Sequence, residues 1–441
     1  MKGKLLKKLN QNMPDSIKKL LNKQIRGKVI NNSIFKETIN ELEKFDKLNS
    51  EEKEKYHFNK LKEVLIYAYE NTVFYKRTFD EANFNPYEFS NIKEMDKLPT
   101  INKEIVLSNF EEFLSKEYID YYEAFTGGST GKPLRVFLDT TSIYKEKAFV
   151  YNYWSKFGYD YKTSKIVTFR GLEFGNKIYK YNPIDNQIIV NPFKLSSDNI
   201  EEYVKIIDKF NPEFFHGYVS AMYNFCRILN KKNIKLKANI KCVFFISENV
   251  TDEEREYIEK TLNCKSNIFY GHSERVVFAE CLNGGYEFND LYTHVDFLKK
   301  EGIEDLYEIA CTGILNRKMI FIKYIPDDVV QIKKDGKIHI YGHWDKELLI
   351  GKNDEKISIA SINFHNNIFN KIKSYQFEQF QKGKVVFNIV EDSKLSENDK
   401  KEILEILNKK IKDIIEVEIK IVDNIGLTKR GKYKKIIKHF K

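Results

Sequence analysis

The stretch NPEFFHGYVSAMYNFCRILNKKNIKLKANIKCVFFISENVTDEEREYIEKTLNCKSNIFYGHSE (211–274) alternates short apolar runs with segments of helix length. EFFHGY (213–218), KCVFFIS (241–247) and SNIFYGH (266–272) read as strands: short, aromatic and β-branched, and bounded by turn formers. Between them, Ala221 to Leu229 reads as one helix and the run through Leu262 as another. Thr251 with Glu254 opens the second as a capping box. Upstream, Asp198 with Glu201 reads as a further capping box, and Ile200, Tyr203, Val204, Ile207 and Phe210 fall on one helical stripe that Asn211-Pro212 ends. Strands joined by helices of about ten residues imply crossover units and a largely parallel sheet. Open sheets of this kind hold ligands at the carboxyl ends of their strands. HGY (216–218), SEN (247–249) and YGHSE (270–274) stand at those ends, so function is to be sought there.

Moving outward, residues up to about Tyr121 read as mostly helical, with Leu61, Val64, Leu65 and Ala68 on one face of a 3.6-residue period. From about Gly342 the texture changes. GKVVFNIV (383–390) reads as a strand, Ser396 caps a helix carrying Ile403, Leu407, Ile411 and Ile414, and VEIKIV (417–422) reads as a further strand. The expected organisation is a core domain over 1–341, helical to 121, and a C-terminal domain over 342–441 with a hinge at about 342–346.

With 441 residues, 42% hydrophobic and 14% aromatic, the chain buries a sizeable core. Its five cysteines are scattered without a C-x-x-C pair, which argues against a zinc ribbon or a disulfide framework and fits a reducing cytoplasm. No apolar stretch approaches the roughly 18–20 residues a membrane helix needs, and MKGKLLKKLNQNMPDS does not read as a secretion signal. The net charge of +10 is mild for this length. Part of it is local: the segment to Lys28 carries Lys2, Lys4, Lys7, Lys8, Lys18, Lys19, Lys23, Arg26 and Lys28 against Asp15 alone. That segment reads as a solvated helical surface, one that also suits peripheral contact with an anionic membrane. No nucleic-acid-binding module is recognisable, so no nucleic acid is expected as a partner.

One further segment carries chemistry. In EAFTGGSTGKPLRVFLDTTS (123–142), Thr126, Gly127, Gly128, Ser129, Thr130, Gly131 and Lys132 place three glycines, three hydroxyls and a lysine in seven positions. Such a loop wraps phosphate oxygens, because glycine permits close backbone approach. It is not a Walker A loop: the glycine spacing is one short, and Pro133 stands where the magnesium-binding hydroxyl belongs. Leu134, Val136 and Leu138 then alternate as a strand.

TGGSTGKP resembles the phosphate loop of the adenylate-forming superfamily, which includes acyl-CoA synthetases and adenylation domains. The nearest likeness is to phenylacetate–CoA ligase-like proteins, in the branch found in capsular polysaccharide biosynthesis. Other elements follow in the superfamily's order: SEN resembles the adenine-contacting turn, YGHSE the Tyr-Gly-x-Thr-Glu motif, and KYIPDD (323–328) the ribose segment. GHWDK (342–346) resembles the hinge and LTKRGKYKK (427–435) the C-terminal lysine loop. The resemblance implies an α/β fold: a large N-terminal domain with mixed and parallel sheets flanked by helices, plus a small mobile α+β C-terminal domain. It implies ATP and Mg2+, with coenzyme A as one candidate acceptor and a small-molecule carboxylate as substrate.

The resemblance also implies roles. Glu274 would hold magnesium, Asp328 the ribose hydroxyls, and Tyr270 the adenine, with Ser247, Glu248, Gly271, Ser273 and His343 completing the nucleotide site. Lys432 would bridge the carboxylate and the α-phosphate, and His272 would act on substrate or nucleophile; His216 is a second histidine at a strand tip. The pattern departs at Leu134, Lys323, Asp327 and His343, where lysine, arginine, glycine and arginine are usual. Three end points stay open: acyl transfer to a thiol, amine or hydroxyl; nucleotidyl transfer on the same scaffold; or a non-catalytic nucleotide-binding relative in a polysaccharide assembly complex.

Overall fold

A computed structural model describes residues 22–125, 134–170, 177–300, 305–326, 328–342, 348–353, 355–358, 368, 371–411, 414–426 and 433–440. The expectations for Thr126 to Lys132, Asp327, His343 and Lys432 lie outside the described residues. The amino-terminal part is helical as expected: α1 (Asn22–Ile30), α2 (Ser33–Phe45), α3 (Ser50–Asn71), α4 (Val73–Glu81) and α5 (Lys103–Ser108). Leu61, Val64, Leu65 and Ala68 of α3 are fully buried, so the 3.6-residue stripe is its core face. Arg26 corrects the reading of a solvated basic segment. It is 4% exposed, and its guanidinium donates to the Tyr161 carbonyl, a partner inside the fold that draws this side chain out of solvent.

Strands β1 (Tyr121–Phe125) and β2 (Arg135–Asp139) form an antiparallel hairpin, followed by α6 (Thr140–Ser155). Asp139 caps α6: its Oδ1 accepts from Ser142 N at 2.8 Å and its Oδ2 from Arg317 N at 2.8 Å, tying the hairpin to the loop at 317.

The chain then builds β3 (Ile166–Phe169), β4 (Tyr179–Asn182), β5 (Gln187–Val190), α7 (Ile200–Phe210), β6 (Phe214–Gly217), α8 (Val219–Lys231), β7 (Cys242–Phe245), α9 (Asp252–Leu262) and β8 (Lys265–Gly271). Strands β5, β3, β6, β7 and β8 pair in that order, all parallel, with β4 antiparallel at the edge. The parallel reading of the crossover units is therefore correct. The sheet continues past β8, however, as antiparallel β9 (Phe278–Leu282), β10 (Gly285–Phe288), β14 (Ile338–Gly342), β13 (Val329–Ile332), β12 (Leu306–Gly313) and β11 (Thr293–Lys299), so twelve strands share one sheet. One face of the parallel half presents Val167, Phe169, Phe215, Val243 and Phe245 to α7, α8 and α9. The other presents Ile166, Phe214, Cys242 and Phe244 to α2 and α6. Each such aromatic contributes about 1.5–3 kcal/mol by leaving water.

Two caps separate the expectations. Thr251 and Glu254 form the reciprocal box. The box expected from Asp198 and Glu201 does not form. Asn199 occupies the N-cap of α7, and its side chain instead bonds Ser196 N and the Lys194 carbonyl, an Asx-type turn that wins over helix capping. Asn211, at φ +51°, ends that helix.

Residues from 348 onward build β15 (Leu348–Ile350), β16 (Lys356–Ser358), β17 (Ile372–Gln381), β18 (Lys384–Glu391), α10 (Glu397–Ile411), β19 (Glu416–Ile421) and β20 (Ile436–Lys438). The four-stranded sheet β19-β18-β17-β20 packs Phe377, Phe387 and Ile389 against Ile403, Leu407 and Ile411 of α10, a core of its own. No helix among the described residues is long and apolar enough to cross a membrane.

Candidate active site

The tips of β6, β7 and β8 lie side by side because the three strands are adjacent and parallel. Gly217 closes β6 at φ +142°, where a Cβ would stand 2.0 Å from the Phe169 carbonyl oxygen, so only glycine allows β6 and β3 to approach at their ends. Beyond β7, Ser247 is held at φ +65°, a left-handed conformation that a serine adopts only under constraint from its surroundings.

Beyond β8, four expected residues come together. Asp328, at the head of β13, is buried, and its Oδ2 accepts from the Tyr270 hydroxyl at 2.7 Å and lies 2.7 Å from His272 Nε2. Burial, and then the Asp328 charge, push the Tyr270 phenol well above its ordinary range, so it is a permanent donor. Gly271 and Ser273 are exposed beside it. Glu274 is half-buried at the same tip, with the Tyr324 hydroxyl 3.5 Å from Oε1. The next residue anchors the turn: Arg275, at φ +54°, donates to the Ser142 carbonyl at 3.0 Å and pairs with Glu146 at 3.4 Å, both on α6. The helix that follows the β1–β2 hairpin is thus clamped to the turn carrying Glu274.

A magnesium ion fits this donor set. Glu274 offers a hard carboxylate oxygen at an open strand tip, and the described residues hold no cluster of three or more metal-ligating side chains. One carboxylate, with phosphate oxygens and water, is how magnesium is ordinarily held.

Three residues sit otherwise than the motif implies. Lys323, at φ +53°, turns inward: its Nζ donates to the Met95 carbonyl at 3.0 Å and lies 3.9 Å from Asp296, so its charge is not presented beside Asp328. Glu248 reaches down to the start of α8, taking Ser220 N at 2.8 Å and Ser220 Oγ at 3.0 Å, and also the backbone N–H of Tyr433 at 3.1 Å. His216 is packed edge-on against Trp154, with Nδ1 3.0 Å from the Phe244 carbonyl; burial lowers its pKa to about 4, so it is a neutral imidazole of the core. Phe214, Phe215, Tyr218, Phe244 and Phe245 are core residues too.

Sequence reasoning passed over Arg275, Tyr324 and the capping role of Asp139. Of these, only Asp139 left a signal: an acidic residue immediately ahead of TTS.

Residues 349–439 match the family CapK C-terminal domain. The Protein CapK of Staphylococcus aureus is 26% identical over 305 residues, 67% of each chain. Among solved structures, a 2-hydroxyisobutyryl-CoA ligase in its postadenylation state with R3-HIB-AMP overlaps 89% of this chain and 90% of its own at a TM-score of 0.67 and 12% identity. The same ligase with 2-HIB-AMP and CoA in its thioesterification state overlaps at 0.52 and 13% identity, over 89% of this chain and 90% of that one. The chain has the adenylate-forming ligase fold, as the motifs imply.

Proposed function

We propose that this protein activates a small-molecule carboxylate with ATP and passes the acyl group on. A carboxylate oxygen attacks the α-phosphorus, the bond to the β-phosphate breaks, and pyrophosphate leaves an acyl-adenylate; an acceptor then attacks the acyl carbon and AMP departs. The observation that carries this reading is the meeting of Tyr270, His272, Glu274 and Asp328 at the carboxyl end of β8, on the fold of a ligase whose structures hold acyl-adenylates.

Asp328, oriented by the Tyr270 hydroxyl and in contact with His272, accepts the ribose hydroxyls. Tyr270, with its hydroxyl committed to Asp328, offers a ring face to adenine beside Ser247, Gly271 and Ser273. Thr126 to Lys132 supply N–H, hydroxyl and ammonium donors to the phosphates, where charge develops during transfer. Glu274 would hold magnesium, which when bound would supply positive charge to the phosphates. Lys432 bridges the carboxylate and the α-phosphate, and His343 belongs to the hinge. The acceptor class comprises a thiol such as coenzyme A, an amine or a hydroxyl; the CapK matches support a place in surface polysaccharide assembly. The basic amino-terminal residues favour peripheral contact with an anionic membrane.

The test is carboxylate-dependent exchange of labelled pyrophosphate into ATP across a panel of acids. Exchange with at least one acid is expected. Measurable ATP binding without exchange for every acid overturns the reading in favour of a non-catalytic nucleotide binder.

A further inference from the structure

The SEN turn touches two places far apart in sequence, the end of β14 in the large sheet and the C-terminal unit. Asn249 Nδ2 donates to the Tyr341 carbonyl at 3.2 Å, one residue before Gly342, where the chain leaves β14. Glu248 Oε1 accepts the backbone N–H of Tyr433, the first described residue after 427–432. Tyr433 is itself built into the C-terminal unit, where its hydroxyl accepts from Tyr375 N at 3.1 Å on β17. Around this point lie contacts of the ordinary interfacial kind: Lys435 to Glu254 at 3.2 Å, and Arg227 to the Ile372 and Lys373 carbonyls at 2.8 and 2.6 Å and to Asp392 at 3.3 Å.

Glu248 differs from these in kind. Its carboxylate gathers three donors, two of them from the first turn of α8, a helix whose N-cap residue, Tyr218, makes no side-chain capping bond. The side chain is thereby fixed before the C-terminal unit arrives, so Tyr433 meets a preorganised acceptor rather than a mobile surface carboxylate. Charge-assisted bonds from backbone N–H groups are about twice as strong as neutral ones. A backbone donor also cannot swing away as a lysine can.

We infer that Glu248 is a positioning residue: it docks the C-terminal unit on the nucleotide-binding face through the Tyr433 amide, and so sets the place from which the adjoining lysine segment works. This inference rests on the proposed function for its kinetic part only. Two measurements on the full chain test it. In hydrogen exchange, the Tyr433 amide, read from a peptide that begins at or before Arg430, exchanges faster in Glu248→Ala than in the wild type, while Glu248→Gln, which keeps an acceptor oxygen, stays close to the wild type. In pyrophosphate exchange with saturating acid, Glu248→Ala lowers the turnover at least tenfold with the KM for ATP changed less than threefold. Ser220→Ala removes one bond to Glu248 without touching Tyr433 and separates capping from docking. If Ser220→Ala reproduces the Glu248→Ala loss, or if Glu248→Ala leaves the Tyr433 peptide as protected as before, the docking role is wrong. If the wild type shows no pyrophosphate exchange with any acid but the protection pattern holds, the docking stands and the proposed reaction falls.

Discussion

In the proposed reaction, Asp328 is the residue that meets the ribose, and its contacts gather on one oxygen. The Tyr270 hydroxyl donates to its Oδ2, His272 Nε2 lies 2.7 Å from the same oxygen, and each hydrogen bond the carboxylate makes to a ligand hydroxyl is worth about 1.5–3 kcal/mol. Asp328→Ala is therefore expected to weaken Mg-ATP binding by about ten- to a hundredfold by calorimetry, and unchanged affinity would remove Asp328 from the site. Lys432→Ala is expected to abolish pyrophosphate exchange while ATP affinity falls only modestly; if Lys434→Ala does so instead, the loop is read two residues out of register. His216 bears on stability, not catalysis. Its folded pKa, about 4, lies below the ordinary histidine value of 6.5, so the unfolded chain binds the extra proton between those limits. Stability is then full above pH 6.5 and is lost as pH falls toward 4, by about 3 kcal/mol in all. His216→Asn should flatten that slope in urea unfolding across the same range, and an identical slope would show that other groups set it. At this scale the sequence was a partial guide. The resemblances of YGHSE and KYIPDD singled out Tyr270 and Asp328, which the fold brings into contact, but a motif position does not say which way a side chain turns, and Lys323 turned inward.

Among the elements, short-range chemistry was the most legible. The strands β6, β7 and β8, the stripe of α3 and the box on α9 all follow from spacing and capping within a few residues. The failed box at Asp198 shows the limit: two side chains competed for one helix start, and the Asn199 turn decided it. The contrast is measurable. Thr251→Ala should cost about 1 kcal/mol in urea unfolding, whereas Asp198→Ala should fall within error. A comparable loss from Asp198 would mean that it caps α7 in solution. The antiparallel half of the sheet escaped the reading because its strands pair over long separations. Leu306 of β12 faces Gln331 of β13, and Tyr286 of β10 faces Ile338 of β14, and no local pattern records such partners.

For the whole molecule, the fold class was legible because three strands alternating with three helices admit few topologies. The meeting of remote segments was not: Arg275 with Ser142, Asn249 with Tyr341 and Glu248 with Tyr433 join residues 92 to 185 positions apart. The unbroken run of hydrogen-bonded strands from β11 to β4 has its own mechanical consequence. Lys265 to Ile268 of β8 pair with β7 while Phe269 to Gly271 pair with β9, so the two halves are joined end to end along one strand rather than side by side across it. A change in the bend of β8 would therefore swing one half against the other with every ladder bond kept, and Tyr270 and Gly271 lie on that joint.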